Sequence, residues 1–544
     1  MTADLIITNT RVVTARADGA EAQAVAVSGN RIVAVGDPDA VGALAGPTTR
    51  IVSAAGGSVV PGLNDAHLHL QWWAFGRSFL DLREVHSLAE VRRLVAQAVA
   101  QAAPGEVVRG RGWAENRLVG LTGGPTAADL DDVSGEVPVV LDHFSAHGAW
   151  LNSAAMRLVG LTAATPDPDG GRFVRFAGTS EPTGEVHEAA LPLVLGRLPV
   201  PSPEQRASLI ADATRELARR GITSVTDPVC TPDMVREYVG LRNADRLGVR
   251  LGMLLHWSWP SVQTPREMLA TAMEYVGSAT GLGDDRLFVS GCKLFADGVV
   301  PLHSSWMRTP YPDGSHGCLV TEGDSDDERL ATLREQIMLL HRNRFRAQVH
   351  ATGDAGCDAV VEAFAEAMAA DPWVDARHVL IHANLPSAAS RATMARLGII
   401  ASTNSLIRWQ NGLAARGHIP EQAWLDNMPA ADLLADGVVL SDASDAPIAE
   451  PDWAQAMHAL VTRRLIDGTD GGAAQRISRL EALRSWTAGP AYQDYAESWK
   501  GTIEVGKVAD LVVLDQDLMA IPDEELPSLT PVMTLLDGAV VHEA

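Results

Sequence analysis

Between residues 58 and 489 the chain repeats one unit. An apolar, β-branched run ends in small or polar residues, and a helical stretch follows. The runs are an opening "VVPGLNDAHLHL" (59–70), then "GITSVTDP" (221–228), "VRLGMLLHW" (249–257), "LFVSGCKLFADG" (287–298) and "RAQVHATGD" (346–354). "RHVLIHANL" (377–385), "GIIASTNS" (398–405) and "GVVLSDASDAP" (437–447) complete the set. Amphipathic segments such as 203–220 and 327–343 lie between them. Eight β-then-α units predict a closed parallel barrel of the TIM type, a (β/α)8 fold in the α/β class. A doubly wound open sheet is the alternative. The count of units and the clustering of polar groups after several runs favour the barrel.

One unit breaks the rhythm. Residues 72–202 separate the first run from the helix that leads to the second. The stretch holds strand-like runs of its own, "EVVRGRGW" and "VPVVLDHF", and turn-rich pieces. A loop this long without structure is improbable, so an inserted α+β subdomain is expected, placed over the C-terminal mouth of the barrel. Residues 1–57 and the C-terminal segment both read as short strands broken by Gly and Asn turns. The expected division is therefore a composite β-sandwich from 1–57 with 490–544, a barrel from 58–71 with 203–489, and an insert over 72–202.

Composition excludes several functions. A net charge of −24 repels nucleic acid and anionic membrane surfaces. The four cysteines, Cys230, Cys292, Cys318 and Cys357, are far apart and form no CxxC pair, against a disulfide framework or a thiolate metal site. No basic leader precedes an apolar core at the N-terminus, and no run approaches the roughly 18 apolar residues of a membrane span. A soluble cytoplasmic protein is expected, with a small molecule rather than nucleic acid or membrane as its partner and a homo-oligomer, a dimer first, as the starting expectation.

The polar groups at the ends of the runs carry the chemistry. They are His67 and His69 on the first, Lys293 on the fourth, His350 on the fifth, His382 on the sixth and Asp445 on the eighth. Side chains alternate along a strand, so His67 and His69 face one side. Imidazole and carboxylate are good ligands for zinc and similar divalent ions. Singly, each has an ordinary explanation: a core histidine, a rim lysine, an aspartate opening a turn. Together, these groups at five strand ends point to a metal centre. His86, His341, His418, His458 and His542 fall in helical, loop or terminal segments and read as structural or surface residues.

"PGLNDAHLHL" resembles the PGxxDxHxH signature of the amidohydrolase superfamily, and the order HxH, Lys, His, His, Asp is that superfamily's metal-site order. "KLFADG", "HATGDAG", "IHANLPS", "SDAP", "GTIEVGKVADLVVLD" and, in the insert, "HGAWLNSAAM" and "EPTGEVHE" resemble amidohydrolase family 3, the branch of YtcJ-like proteins and N-substituted formamide deformylase. The resemblance covers nearly the whole chain. It implies that His67, His69 and Asp445 hold the more buried metal and that His350 and His382 hold a second. Lys293 then bridges the two as an N-carboxylated lysine. If Lys293 is unmodified, a one-metal site is implied. The family usually has an acid before the sixth-strand histidine; here Ile381 stands there, on the other side of the strand. Asp442 is the runner-up to Asp445. Asp65, deeper on the same side as the histidines, is given a supporting role behind the ligands.

The implied activity is hydrolysis of a C–N bond (amide, N-formyl or cyclic amide) by metal-activated hydroxide, with Asp445 as general base and acid. Zn²⁺ is the first choice of metal, with Mn²⁺ or Fe²⁺ possible. The alternatives are deamination of a ring amidine at one metal, ester or lactone hydrolysis, and a metal-free scaffold. The scaffold predicts lost ligands, and none is lost. Residues expected to line the substrate are Trp72 and Trp73, Trp113 and His147 in the insert, and His303, Trp306 and Arg308 after "KLFADG". The alternative for the tryptophans is packing of the insert onto the barrel.

Overall fold

The computed structural model describes residues 2–115, 117–143, 148–168, 171–188, 190–258, 261–276 and 279–544. They divide into two compact units, 1–73 with 210–544, and 74–209.

The first unit contains the barrel. Its strands are Leu63–Asp65, Ile222–Cys230, Arg250–Leu255, Leu287–Phe295, Ala347–Ala351, Val379–His382, Ile400–Thr403 and Leu440–Asp442. They lie side by side in chain order, and every pairing is parallel. Helices such as Asp326–Arg342, Asp354–Ala370 and Ala388–Leu397 return the chain between strands. Each strand is almost wholly buried, which is why it reads as a continuous apolar run rather than an alternating one. The first and eighth strands meet just beyond their ends. Asp445 N donates to His67 O at 2.8 Å, and His69 N donates to Ala446 O at 2.9 Å.

The opening run is not one strand. Ser58–Pro61 pairs with Arg11–Val13 and Leu511–Leu514 in a different sheet, and only Leu63–Asp65 joins the barrel. Gly62 is the crossing point. A Cβ there would lie 2.3 Å from Thr223 Oγ1, so only glycine lets the chain pass.

The β-sandwich comprises two sheets. One orders Arg31–Gly36, Ala24–Ser28, Leu5–Thr8 and Arg50–Ser53. The other orders Ala539–Glu543, Pro531–Leu536, Leu511–Leu514, Ser58–Pro61, Arg11–Val13 and Glu21–Ala22, so both ends of the chain build it. Leu5, Ile7, Val25 and Val27 from the first sheet pack against Val59, Leu511, Val513 and Leu535 from the second.

The second unit has a mixed six-stranded sheet that includes the predicted runs, as Val108–Trp113 and Val139–His143. One apolar core gathers Val91, Val95, Leu130 and Trp150; another gathers Ala155, Val159, Phe173 and Val186. Among the described residues no helix is long and apolar enough to cross a membrane.

Candidate metal centre

His67 and His69 lie just past the first barrel strand, not within it. The chain bends there, at Ala66 and His67, but its backbone bonds still alternate between neighbours. His67 O and His69 N bond to Asp445 and Ala446 in the loop past the eighth strand, whereas Leu68 N donates to Thr226 O of the second, at 2.9 Å. This alternation turns both imidazoles the same way. Asp445 comes from a loop three residues beyond the eighth strand. Its Oδ1 lies 3.4 Å from His67 Nε2 and 3.3 Å from His69 Nε2. The ligand atoms of these three residues all lie within 4.8 Å of one another, the only such His/Cys/Asp/Glu group among the described residues.

Asp445 Oδ1 has no hydrogen-bond partner, nor do His67 Nδ1 and His69 Nδ1, although all three atoms are buried. Burial, reinforced by the Lys293 charge, holds the His67 pKa well below its usual value, so its ring is neutral. A neutral imidazole beside an unsatisfied buried carboxylate is a costly arrangement that a divalent cation relieves. The donor set therefore fits such an ion.

Asp65 is fully buried behind this group. Its Oδ1 accepts from His67 N at 3.3 Å and Ser444 N at 3.1 Å, tying the first and eighth strands together next to both candidate ligands. Asp442 is consumed elsewhere: it accepts from Thr403 Oγ1, Ser405 N and Oγ, and Trp486 Nε1. That leaves it no free oxygen for a metal, and Asp445 is the aspartate at the cluster.

His382 and His350 continue the row of rings. His67 and His382 have centroids 5.6 Å apart, and His382 and His350 are 4.4 Å apart. His382 Nδ1 lies 2.7 Å from Asn404 Oδ1, and His350 Nε2 lies 3.0 Å from the Gly298 carbonyl. Those oxygens accept, so each ring carries its proton there and presents its other nitrogen as a lone pair. Burial pulls the His350 pKa down to about 3. Burial also pulls the Lys293 amine down to about 7, with Asp445 opposing. His382 and Asp445 have φ of 69° and 57°, a strained region for residues other than glycine. Ile381 points into an apolar cluster with Val379 and Ile400, away from these groups.

Three contributors were not read from the sequence. Asn404 orients His382 from the end of the seventh strand. Asp227, buried on the second strand, accepts from Tyr238 Oη at 2.6 Å and interacts electrostatically with His69. His256 ends the third strand, with Nδ1 3.3 Å from Lys293 O. Asn404 and His256 each directly follow a barrel strand, and that position was the available signal; Asp227 lies within its strand.

The sequence model of the amidohydrolase family matches residues 50–542. The chain belongs to the amidohydrolase family. It is 29% identical to the N-substituted formamide deformylase of Arthrobacter pascens, over 99% of this chain and 98% of that protein. It is 27% identical to YtcJ of Bacillus subtilis (strain 168), over 91% of each. Its fold resembles an uncharacterized metal-dependent hydrolase from Pyrococcus horikoshii OT3, with TM-score 0.76 and 21% identity over 96% of this chain and 99% of that one. This amidohydrolase is an enzyme, a hydrolase.

Several residues expected to line the amidohydrolase's substrate are otherwise engaged. Trp73 is fully buried, and its Nε1 donates to Glu450 Oε2 at 3.2 Å, so it packs. Trp113 is core in the second unit, donating to Leu141 O at 2.8 Å and meeting Trp150 edge-on. Arg308 pairs with Asp358 at 2.8 Å. His303 has both ring nitrogens occupied, by Asp313 at 2.5 Å and His418 at 2.6 Å. Trp306 is half-buried, and Trp72, also half-buried, stacks on His69 with centroids 4.2 Å apart. His147 lies outside the described residues.

Proposed function

We propose that this amidohydrolase cleaves a C–N bond of an amide, an N-formyl amine or a cyclic amide. The observation that carries the reading is the convergence of His67, His69 and Asp445 on one point without internal hydrogen bonds. These three residues hold one divalent ion, with Zn²⁺ the first candidate and Mn²⁺ or Fe²⁺ next. His350, His382 and an N-carboxylated Lys293 hold a second. A carbamate is an anionic oxygen ligand, whereas a free ammonium repels two cations. When bound, such ions polarise a carbonyl and bring the pKa of water from about 15.7 to about 7.

Asp445 takes the proton of the attacking water and returns it to the leaving nitrogen. Its buried, unpartnered Oδ1 and its place between the two histidines support that role. Trp72, standing on His69, offers an aromatic wall to an apolar part of the substrate. The 29% identity to N-substituted formamide deformylase favours N-formyl amines within the class.

The test is a hydrolysis screen of N-formyl amines, N-acyl amino acids, cyclic amides and aryl esters with zinc, manganese or iron restored. Turnover of an amide-type substrate supports the reading; esters alone, or no turnover, overturn it. A second reading, deamination of a ring amidine at one ion, is favoured by the tight grouping of only three His and Asp ligands. Metal count separates the two: one ion with an unmodified Lys293 supports deamination, and two ions with a lysine carrying the added mass of CO₂ support amide hydrolysis.

A further inference from the structure

Asp297 lies just past the fourth barrel strand and is buried among backbone groups. Its Oδ1 accepts from Thr352 N at 2.9 Å. Its Oδ2 accepts from Gly353 N at 2.8 Å and Trp306 N at 3.0 Å. One carboxylate thus joins the loop after the fourth strand to the turn that follows His350. The turn is built around it. A Cβ on Gly353 would lie 2.1 Å from Trp306 O, and one on Gly356 would lie 2.4 Å from Asp297 Oδ2. Trp306 O in turn accepts from Ala355 N and Gly356 N at 3.2 Å, at the start of the helix Asp354–Ala370.

The next residue, Gly298, is the one that meets His350. Its carbonyl accepts from His350 Nε2 at 3.0 Å and from Thr352 Oγ1 at 2.6 Å. Ser305 Oγ, 2.5 Å from Thr352 Oγ1, completes the chain, because the threonine proton is already given to Gly298. The direction of every bond is set by groups that can only donate or only accept. The Gly298 carbonyl is therefore held where His350 must place its Nε2 proton, leaving Nδ1 for the centre.

We infer that Asp297 is a positioning residue of the second metal site: with Thr352 and Ser305 it fixes the Gly298 carbonyl and, through it, the ring and tautomer of His350. The inference rests on the reading that His350 is a ligand. Partners of this kind behind a ligating histidine are worth roughly 10- to 100-fold in metal affinity. Asp297→Asn keeps the shape but turns an amide donor towards backbone N–H groups. Thr352→Val keeps the carboxylate and removes only the hydroxyl bond to Gly298.

The experiment titrates metal-free protein with Co²⁺ in bicarbonate buffer and follows visible absorption. It compares wild type, Asp297→Asn, Thr352→Val and His350→Asn, with thermal unfolding recorded for each. The expected result is a first ion bound as in wild type and a second bound roughly 10- to 100-fold more weakly in Asp297→Asn, with a changed cobalt spectrum. Thr352→Val should move the same way by less, and it decides the matter if Asp297→Asn does not fold. Wild-type affinity and spectrum in both variants, with His350→Asn impaired, overturns the positioning role and leaves the ligand reading standing. Wild-type binding by His350→Asn instead overturns the ligand reading itself.

Discussion

Asp445 is the residue on which the proposed chemistry turns. It sits at φ 57°, three residues past its strand, with one buried oxygen unpartnered between two imidazoles. Asp445→Asn should lower kcat by about 10²–10⁴ while the protein still binds part of its metal, read by steady-state kinetics beside metal content. Full turnover in that variant contradicts its role as base. The candidate residues stood out in the sequence because they fall at or just past the ends of apolar runs, and three of them, His67, His69 and Asp445, do converge. Trp73 and Trp113 were not legible as core residues. An indole has the same composition at a mouth or in a core, and only the fold decides. Asp442 illustrates the same limit, since its exclusion depends on four donors brought from two distant segments.

Among the elements, the join between the helix Asp326–Arg342 and the sixth barrel strand carries a buried histidine pair. Ala347 N donates to His378 Nδ1 at 3.1 Å, so the His378 proton is on Nε2 and goes to His341 Nδ1 at 2.9 Å. His341 Nε2 then donates to Asp371 O at 2.6 Å. No ring nitrogen is left for a further proton, and burial holds the His378 pKa down to about 3. The unfolded chain protonates this histidine near pH 6.5. Between those two values the unfolded state binds the proton and the folded state does not. The contribution is therefore complete above about pH 6.5 and is lost as pH falls towards about 3, at up to about 1.4 kcal/mol per pH unit. His378→Gln should flatten the acid side of the stability curve by about one proton, measured by urea unfolding across pH 5–8. An unchanged slope contradicts the assignment. The barrel strands themselves were legible because buried parallel strands read as apolar runs. The break at Gly62 was not, because it follows from the close approach of Thr223 from a strand far along the chain.

Across the first unit, Arg250 ties the third barrel strand to the C-terminal strands of the sandwich. It is wholly buried, with Nε 2.7 Å from Asp510 Oδ2 and Nη2 2.6 Å from Asp537 Oδ1. Its guanidinium also lies 5.1 Å from the centre of the Trp499 ring. Arg250→Met strands a buried carboxylate and should cost about 3–5 kcal/mol in chemical unfolding, with part recovered in the double variant with Asp510→Asn. No loss of stability contradicts the role given to this pair. The sandwich was foreseeable from the likeness of the two chain ends, but the residue that anchors it to the barrel was not, because Arg250 reads as an ordinary strand-edge arginine until Asp510 and Asp537 are beside it. The central claim is that a divalent ion held by His67, His69 and Asp445 makes this molecule a hydrolase. Metal-free protein, reloaded stepwise with Zn²⁺ while metal content and hydrolysis of an N-formyl amine are recorded together, tests it most directly. The account predicts turnover that rises with bound metal and is absent in His67→Asn and His69→Asn; turnover by the metal-free protein, or undiminished turnover in those variants, contradicts it.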